Sequence, residues 1–227
     1  MNKVQLINQV RDYVKDHHEH DYSGHDFEHV KRVVHLADKI LANEPSANAL
    51  VVELAAWLHD VDDYKQNNGE TNNAERLLVQ LNVSDEIVKA VLLAIDSIGF
   101  SKAGYNPQLP SLEAKILYDA DKLDAIGASG IARTFAYGGN KCRPLFLPEV
   151  LPPATLDLAA YRQNALNGTN HSIIHFFEKL LRLAALMQTT TGQQLARERQ
   201  QLMITFLENF FSEQDLSEWT KLLHENF

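Results

Sequence analysis

The sequence predicts an all-α fold, and three observations carry that prediction. Apolar residues recur at i, i+3, i+4 and i+7 along most of the chain, the period of one helix face. No stretch sustains the apolar–polar alternation of a half-buried strand. Seven prolines and ten glycines are too few to cut 227 residues into the many short strands of an all-β protein.

The elements follow in order. Val4, Ile7, Val10 and Val14 predict a first helix, Val30, Val33, Val34, Ala37, Ile40 and Leu41 a second, and Leu50, Val51, Leu54, Ala55 and Leu58 a third. Thr71 reads as the N-cap of a short helix ending at Leu81. Ser84 starts another helix, running to about Ser97, with Asp85 and Glu86 in the first turn, where acids favour the helix dipole. Gly99, Gly104, Asn106, Pro107 and Pro110 make residues 99–111 a loop. A helix then runs from Leu112 to about Gly127. Gly138, Gly139, Pro144, Pro148, Pro152 and Pro153 predict the longest irregular stretch over residues 138–154, and loops of that length are often lids or binding loops. Three more helices follow, over 171–188, 192–211 and 215–225. With no repeat and no clear linker, residues 1–227 read as a single domain. The helices from about 155 to 227 form a C-terminal extension.

Composition narrows the class of function. The hydrophobic share of 45% and charged share of 22% are those of a soluble globular chain. A net charge of −9 argues against a nucleic-acid duplex as partner, since phosphate backbones require clustered Lys and Arg. One local basic pocket for a small phosphate is still compatible with that charge. The single cysteine, Cys142, rules out a disulfide framework and suits a reducing cytosol. The first residues are charged throughout and lack the apolar core of a signal peptide. No apolar run approaches the roughly 20 residues that span a bilayer. The expectation is a cytoplasmic protein with no membrane partner.

Three segments carry chemistry. In GHDFEHVKRVVHLA (24–37), His29 stands near a helix start with Arg32 three residues on. In AAWLHDVDDYK (55–65), an apolar helix runs straight into His59 and Asp60, and a buried charge is costly unless paired or metal-bound. Asp63 lies three residues beyond Asp60. In LYDADKLDAIGASGIARTF (117–135), helical geometry places Lys115, Asp119 and Lys122 on one face, read as a solvated ion-pair face. The same geometry places Asp121 and Asp124 on the opposite one. Asp121 is therefore the inward ligand candidate, and Arg133 offers a guanidinium fork for phosphate. The other histidines, His17, His18, His20, His35, His171, His175 and His224, have no such support.

Two imidazoles and two carboxylates, from His29, His59, Asp60 and Asp121, make a mixed nitrogen–oxygen ligand set. It suits Mn²⁺, Fe²⁺, Co²⁺, Ni²⁺ or Zn²⁺ better than Mg²⁺. Such an ion would acidify a bound water and neutralise charge on a phosphoryl group. Asp63 would orient or deprotonate that water.

The ordered set His29 in GHDFEHVKRV, His59-Asp60 in WLHDVDD and Asp121 in DADKLDAIGA resembles the signature of the HD superfamily of metal-dependent phosphohydrolases. The resemblance is clearest over residues 24–138. The tail over 171–210 is similar to a bacterial subgroup of small stand-alone members, some of which cleave nucleoside triphosphates to monophosphate and pyrophosphate with Mn²⁺. The resemblance implies an HD-type helical bundle with Asp63 as the water-activating acid. By neighbourhood to the motif it makes His25, Arg32, Lys65 and Arg133 phosphate contacts. Some members use a lysine directly after the metal aspartate, but the helix-face argument turns Lys122 outward. No metal ligand is missing from the pattern.

The function expected is a nucleotide phosphohydrolase or pyrophosphohydrolase acting on a small phosphate substrate. The alternative is a phosphomonoesterase or cyclic-nucleotide phosphodiesterase at the same centre. A non-catalytic nucleotide sensor is a further alternative, against which Asp63 counts. A di-iron oxygenase would need further histidines, and none stands between Asp60 and His171. A homodimer through the C-terminal helices is compatible with their amphipathic pattern.

Overall fold

The computed structural model describes residues 2–18, 26–62, 72–99, 104–153 and 171–227; helices supply its regular structure, and no strand occurs among the described residues. Two compact units divide the chain, Met1–Asp121 and Lys122–Phe227.

In the first unit, α1 (Lys3–His17) begins with a capping box. The Asn2 side chain accepts the Gln5 amide at 2.9 Å and the Gln5 side chain accepts the Asn2 amide at 3.3 Å. Next, α2 (Phe27–Leu41) is capped by Asp26, and α3 (Ala49–Leu58) by Asn48. The sequence of α3, ALVVELAAWL, is apolar nearly all round, and Val51, Val52, Leu54, Ala55, Ala56, Trp57 and Leu58 are buried. A helix of that kind must be central, and α3 packs against α1, α2 and α5. The pair α4 (Asn73–Gln80) and α5 (Asp85–Ser97) pack on each other, joined through Asn82 in the left-handed region at φ 56°. Ser111 caps α6 (Leu112–Asp124), its hydroxyl accepting the Ala114 amide at 3.1 Å.

The second unit contains α7 (Gly127–Asn140), α8 (Ile174–Glu178), a 3₁₀ segment (Leu180–Leu186), α9 (Thr190–Ser212) and α10 (Ser217–Asn226). The long α9 packs against α7, the 3₁₀ segment and α10. Phe146, Phe177, Phe211 and Trp219 stack in tilted and edge-to-face pairs beside His171. No helix among the described residues is long and apolar enough to cross a membrane.

Four local expectations change. First, α7 continues through Gly138 and Gly139 to Asn140, so the irregular stretch begins later than those glycines suggest. Gly138 serves close packing rather than a turn, since a Cβ there would lie 2.2 Å from the Ser172 hydroxyl oxygen. Second, α6 ends at Asp124, because the Ile126 amide turns back to the Leu123 carbonyl and Gly127 takes φ +76°. Third, 171–188 is not one helix. Lys179 at φ −138°, ψ −62° breaks it, and the flanking Phe176, Phe177, Leu180, Leu181 and Leu183 are all buried. Fourth, α4 begins at Asn73. Thr71 lies outside the described residues, and the cap comes from elsewhere. Asp62 accepts the Asn73 amide at 2.8 Å and the Ala74 amide at 3.0 Å with its two carboxylate oxygens.

Candidate metal centre

Each ligand candidate in the first unit owes its place to a helix end. The Asp26 carboxylate accepts the backbone amide of His29 at 2.8 Å, which starts α2 and seats His29 in its first turn. In the sequence the signal for Asp26 is an aspartate three residues before a helical histidine. The His29 side chain is fully buried.

His59 directly follows α3. Its Nδ1 lies 2.9 Å from the Ala56 carbonyl oxygen. A carbonyl cannot donate, so Nδ1 carries the proton and Nε2 presents its lone pair. A backbone carbonyl behind a histidine in this way fixes the tautomer that ligates metals. His59 Nε2 stands 3.2 Å from His29 Nε2, with the rings edge to face.

The carboxylates complete the cluster. Asp60 Oδ2 lies 3.3 Å from His29 Nε2 and 3.5 Å from His59 Nε2, and Asp121 Oδ1 lies 3.8 Å from His29 Nε2. One ligand atom each from His29, His59 and Asp121 falls within 4.8 Å of the others.

These separations allow a test of fit. Ligand atoms about 2.1 Å from an ion lie about 3.0 Å apart at adjacent octahedral vertices and about 3.4 Å apart at tetrahedral ones. The 3.2 to 3.5 Å among His29, His59 and Asp60 matches the edges of such a polyhedron, and Asp121, 3.8 Å from His29 and within 4.8 Å of His59, stands wider. Two carboxylates beside two imidazoles also concentrate negative charge in a largely buried place, which a divalent cation would neutralise. The donor set fits the ion.

The surroundings of Asp121 correct the helix-face argument. Asp119 is fully buried and Lys122 is 5% exposed, so the face drawn through Lys115, Asp119 and Lys122 is not solvated. Residues 116–120 and 122–124 are all buried, leaving no solvent stripe here for a periodicity argument to find. Asp124 is buried too, and in the second unit its carboxylate accepts a charge-assisted hydrogen bond from Arg133. Arg199 donates to the Leu123 carbonyl at the end of α6, and its stem packs against Gly127, where a Cβ would meet it at 3.0 Å.

Among the remaining sequence candidates, Arg32 is exposed on α2, while His25, Asp63 and Lys65 lie outside the described residues. Burial pushes up the pKa of the Tyr118 hydroxyl, and the neighbouring Asp119 and Asp121 add to the effect.

Comparison with known proteins places this cluster in context. Residues 26–126 match the HD domain family model. The chain is 35% identical to the YpgQ protein of Bacillus subtilis, over 91% of this chain and 93% of that one. A solved structure from Lactobacillus plantarum is 37% identical, with a TM-score of 0.81 over 95% of this chain and 98% of the other. An HD-superfamily hydrolase of Bacillus thuringiensis is 35% identical, with a TM-score of 0.72 over 94% and 99%. YpgQ has been solved in complex with ADP, at a TM-score of 0.70 and 30% identity over 91% and 97%.

Proposed function

The chain belongs to the HD domain family, and on that premise we propose that it is a metal-dependent phosphohydrolase. We further propose that its substrate is a nucleotide, cleaved at a phosphoanhydride by water. The observation that carries the reading is the convergence of His29 Nε2, His59 Nε2 and Asp60 Oδ2 at 3.2 to 3.5 Å from one another, with Asp121 Oδ1 3.8 Å from His29 Nε2.

In this reading His29, His59, Asp60 and Asp121 hold the ion, Mn²⁺ by the family resemblance, with Mg²⁺ disfavoured by the two nitrogen donors. The ion, when bound, supplies an acidified water and charge neutralisation at phosphorus. The chain's own groups do the rest. The Ala56 carbonyl keeps the His59 lone pair directed at the site. Asp63 takes the proton of the attacking water. Arg32, Lys65 and His25 hold the phosphate oxygens. Arg133, with one guanidinium nitrogen already given to Asp124, is the weakest of the phosphate candidates. The ADP complex of YpgQ supports a nucleotide rather than a simple phosphate ester. The single cysteine suits a cytoplasmic setting, where thiols stay reduced.

Phosphorus NMR of a nucleoside triphosphate panel tests the proposal, using metal-stripped protein with and without Mn²⁺. Pyrophosphate released only with Mn²⁺ is the expected result. Orthophosphate release would move the protein to the phosphatase branch. Silence over the whole panel would defeat the hydrolase reading for nucleoside triphosphates.

A further inference from the structure

The N-cap of α3 is completed by a residue from another helix. An N-cap asparagine normally satisfies two of the first-turn amides, and its own amide is taken by a Glu or Gln at the third helical position. α1 follows this rule with Asn2 and Gln5. In α3 the Asn48 side chain accepts the Leu50 and Val51 amides at 3.1 and 3.3 Å. The third position is Val51, which is buried and has no acceptor. The Asn48 amide is instead accepted by Glu113 Oε1 at 2.8 Å, across a sequence gap of 65 residues. Glu113 stands in the first turn of α6. It supplies in trans what Val51 cannot supply in cis.

The Glu113 carboxyl is built for this contact. Desolvation acts to raise its pKa, but the amides of Asn48 and of Glu113 itself, with the Ser111 hydroxyl, outweigh that and hold it below the usual range. An ionised acceptor makes the shorter and stronger kind of hydrogen bond.

The location gives the contact a consequence. α3 leads directly into His59 and Asp60, and the last turn of α6 carries Asp121. The two helices are thus linked near both ends, by the Asn48–Glu113 contact at their N-termini and by His59 and Asp121, whose ligand atoms lie within 4.8 Å, at their C-termini. From Asn48 to His59 the chain climbs about 16 Å, and from Glu113 to Asp121 about 12 Å, at 1.5 Å per residue. The remaining offset is within reach of an imidazole and a carboxylate side chain. Sliding one helix along the other would separate the ligands by the same amount.

We propose that Glu113 is a positioning residue, fixing the axial register of α3 against α6 and with it the distance of His59 and Asp60 from Asp121. The proposal rests on the metal reading of that cluster for its functional meaning.

The test compares Glu113→Ala with Glu113→Gln in the full chain, by Mn²⁺ titration calorimetry and by NMR of the His29 and His59 imidazoles in metal-free protein. The glutamine oxygen can still accept the Asn48 amide. Glu113→Ala is expected to bind Mn²⁺ about threefold to tenfold more weakly, the fold-change equivalent of one net hydrogen bond, and to shift both imidazole signals. Glu113→Gln is expected to stay near wild type in both. A folded Ala variant with wild-type Mn²⁺ affinity and unmoved imidazole signals would overturn the proposal, whatever its Tm. Should the Ala variant not fold, Glu113→Asp, one methylene short of Asn48, replaces it with the same two outcomes. If wild type binds no Mn²⁺, the imidazole signals decide alone. A shift in the Ala variant would keep the register role while the metal reading fails, and no shift would sink the register role.

Discussion

His29 and His59 present their Nε2 atoms to each other at 3.2 Å, although the His59 Nδ1 proton is already committed to the Ala56 carbonyl. The contact therefore sets a lone pair of His59 beside its partner, with Asp60 Oδ2 3.3 Å from His29 Nε2. His29 Nε2–H is then the donor of this contact, and a cation binding there would displace that proton and take both nitrogens as ligands. We predict that His59→Ala and Asp121→Ala each weaken Mn²⁺ binding by at least about a hundredfold, beyond the range seen for supporting residues around metals. Calorimetry on stripped protein reads this directly, and retained affinity in either variant would remove that residue from the site. Asp63→Asn is expected to leave Mn²⁺ affinity intact and slow turnover, which a paired titration and rate measurement would separate.

Asp62 caps α4 with both carboxylate oxygens, one to Asn73 and one to Ala74. The local N-cap residue, Asn72, sits at φ 72° and makes no side-chain cap bond. Asp62→Ala should therefore destabilise the protein by about 1–2 kcal/mol, the usual cost of a lost cap. Asp62→Asn keeps one acceptor and should lose about half as much. Urea denaturation of the two variants gives the comparison, and equal losses would contradict the two-oxygen capping.

Gly138 is matched to Ser172 by shape. Gly138→Ala would set a methyl 2.2 Å from the Ser172 Oγ, in a place where Ser172 is buried. The predicted loss is about 1–3 kcal/mol, the range for overpacking a tight interior. Ser172→Ala removes the offending oxygen and should restore most of the loss in the double variant. A double-mutant cycle with zero coupling energy would show that the two do not meet.

Acidification should weaken the second unit through two histidines. His171 donates from Nε2 to the Val150 carbonyl and accepts the Ile174 amide at Nδ1, both at 3.1 Å, so both ring nitrogens are occupied in the neutral form. Desolvation lowers its pKa, helped by Arg143 and opposed by the Val150 carbonyl and Glu149. His175 is pushed down to about 3 by desolvation and by Lys179 and Arg143. An unfolded histidine titrates near 6.5. Above that pH both states are neutral and the full stability is present. Below it the unfolded chain takes up protons that the folded one refuses, and stability falls as pH drops toward the folded values. Tm measured between about pH 7.5 and 5 should decline, and more gently in His175→Gln. An identical slope in that variant would contradict the assignment.

The sequence by itself determined the all-helical class and the candidate ligands. The 3.6-residue spacing of Val30, Val33, Ala37 and Ile40 is a local property of α2, and His59-Asp60 at the end of an apolar helix announces itself because such groups need a partner. The tertiary structure decided what depends on contacts between distant residues. Periodicity assumes one wet face, so it could not show that Asp119 and Lys122 are buried. Glycine composition reads as a turn, so it could not show that Gly138 makes room for Ser172 from within a helix. Capping rules look three residues ahead, so they could not find Asp62 eleven residues before Asn73, or Glu113 sixty-five residues beyond Asn48. A hydrogen bond has no memory of sequence distance; only the fold brings donor and acceptor to 2.8 Å, and only there does an unremarkable acid acquire a role.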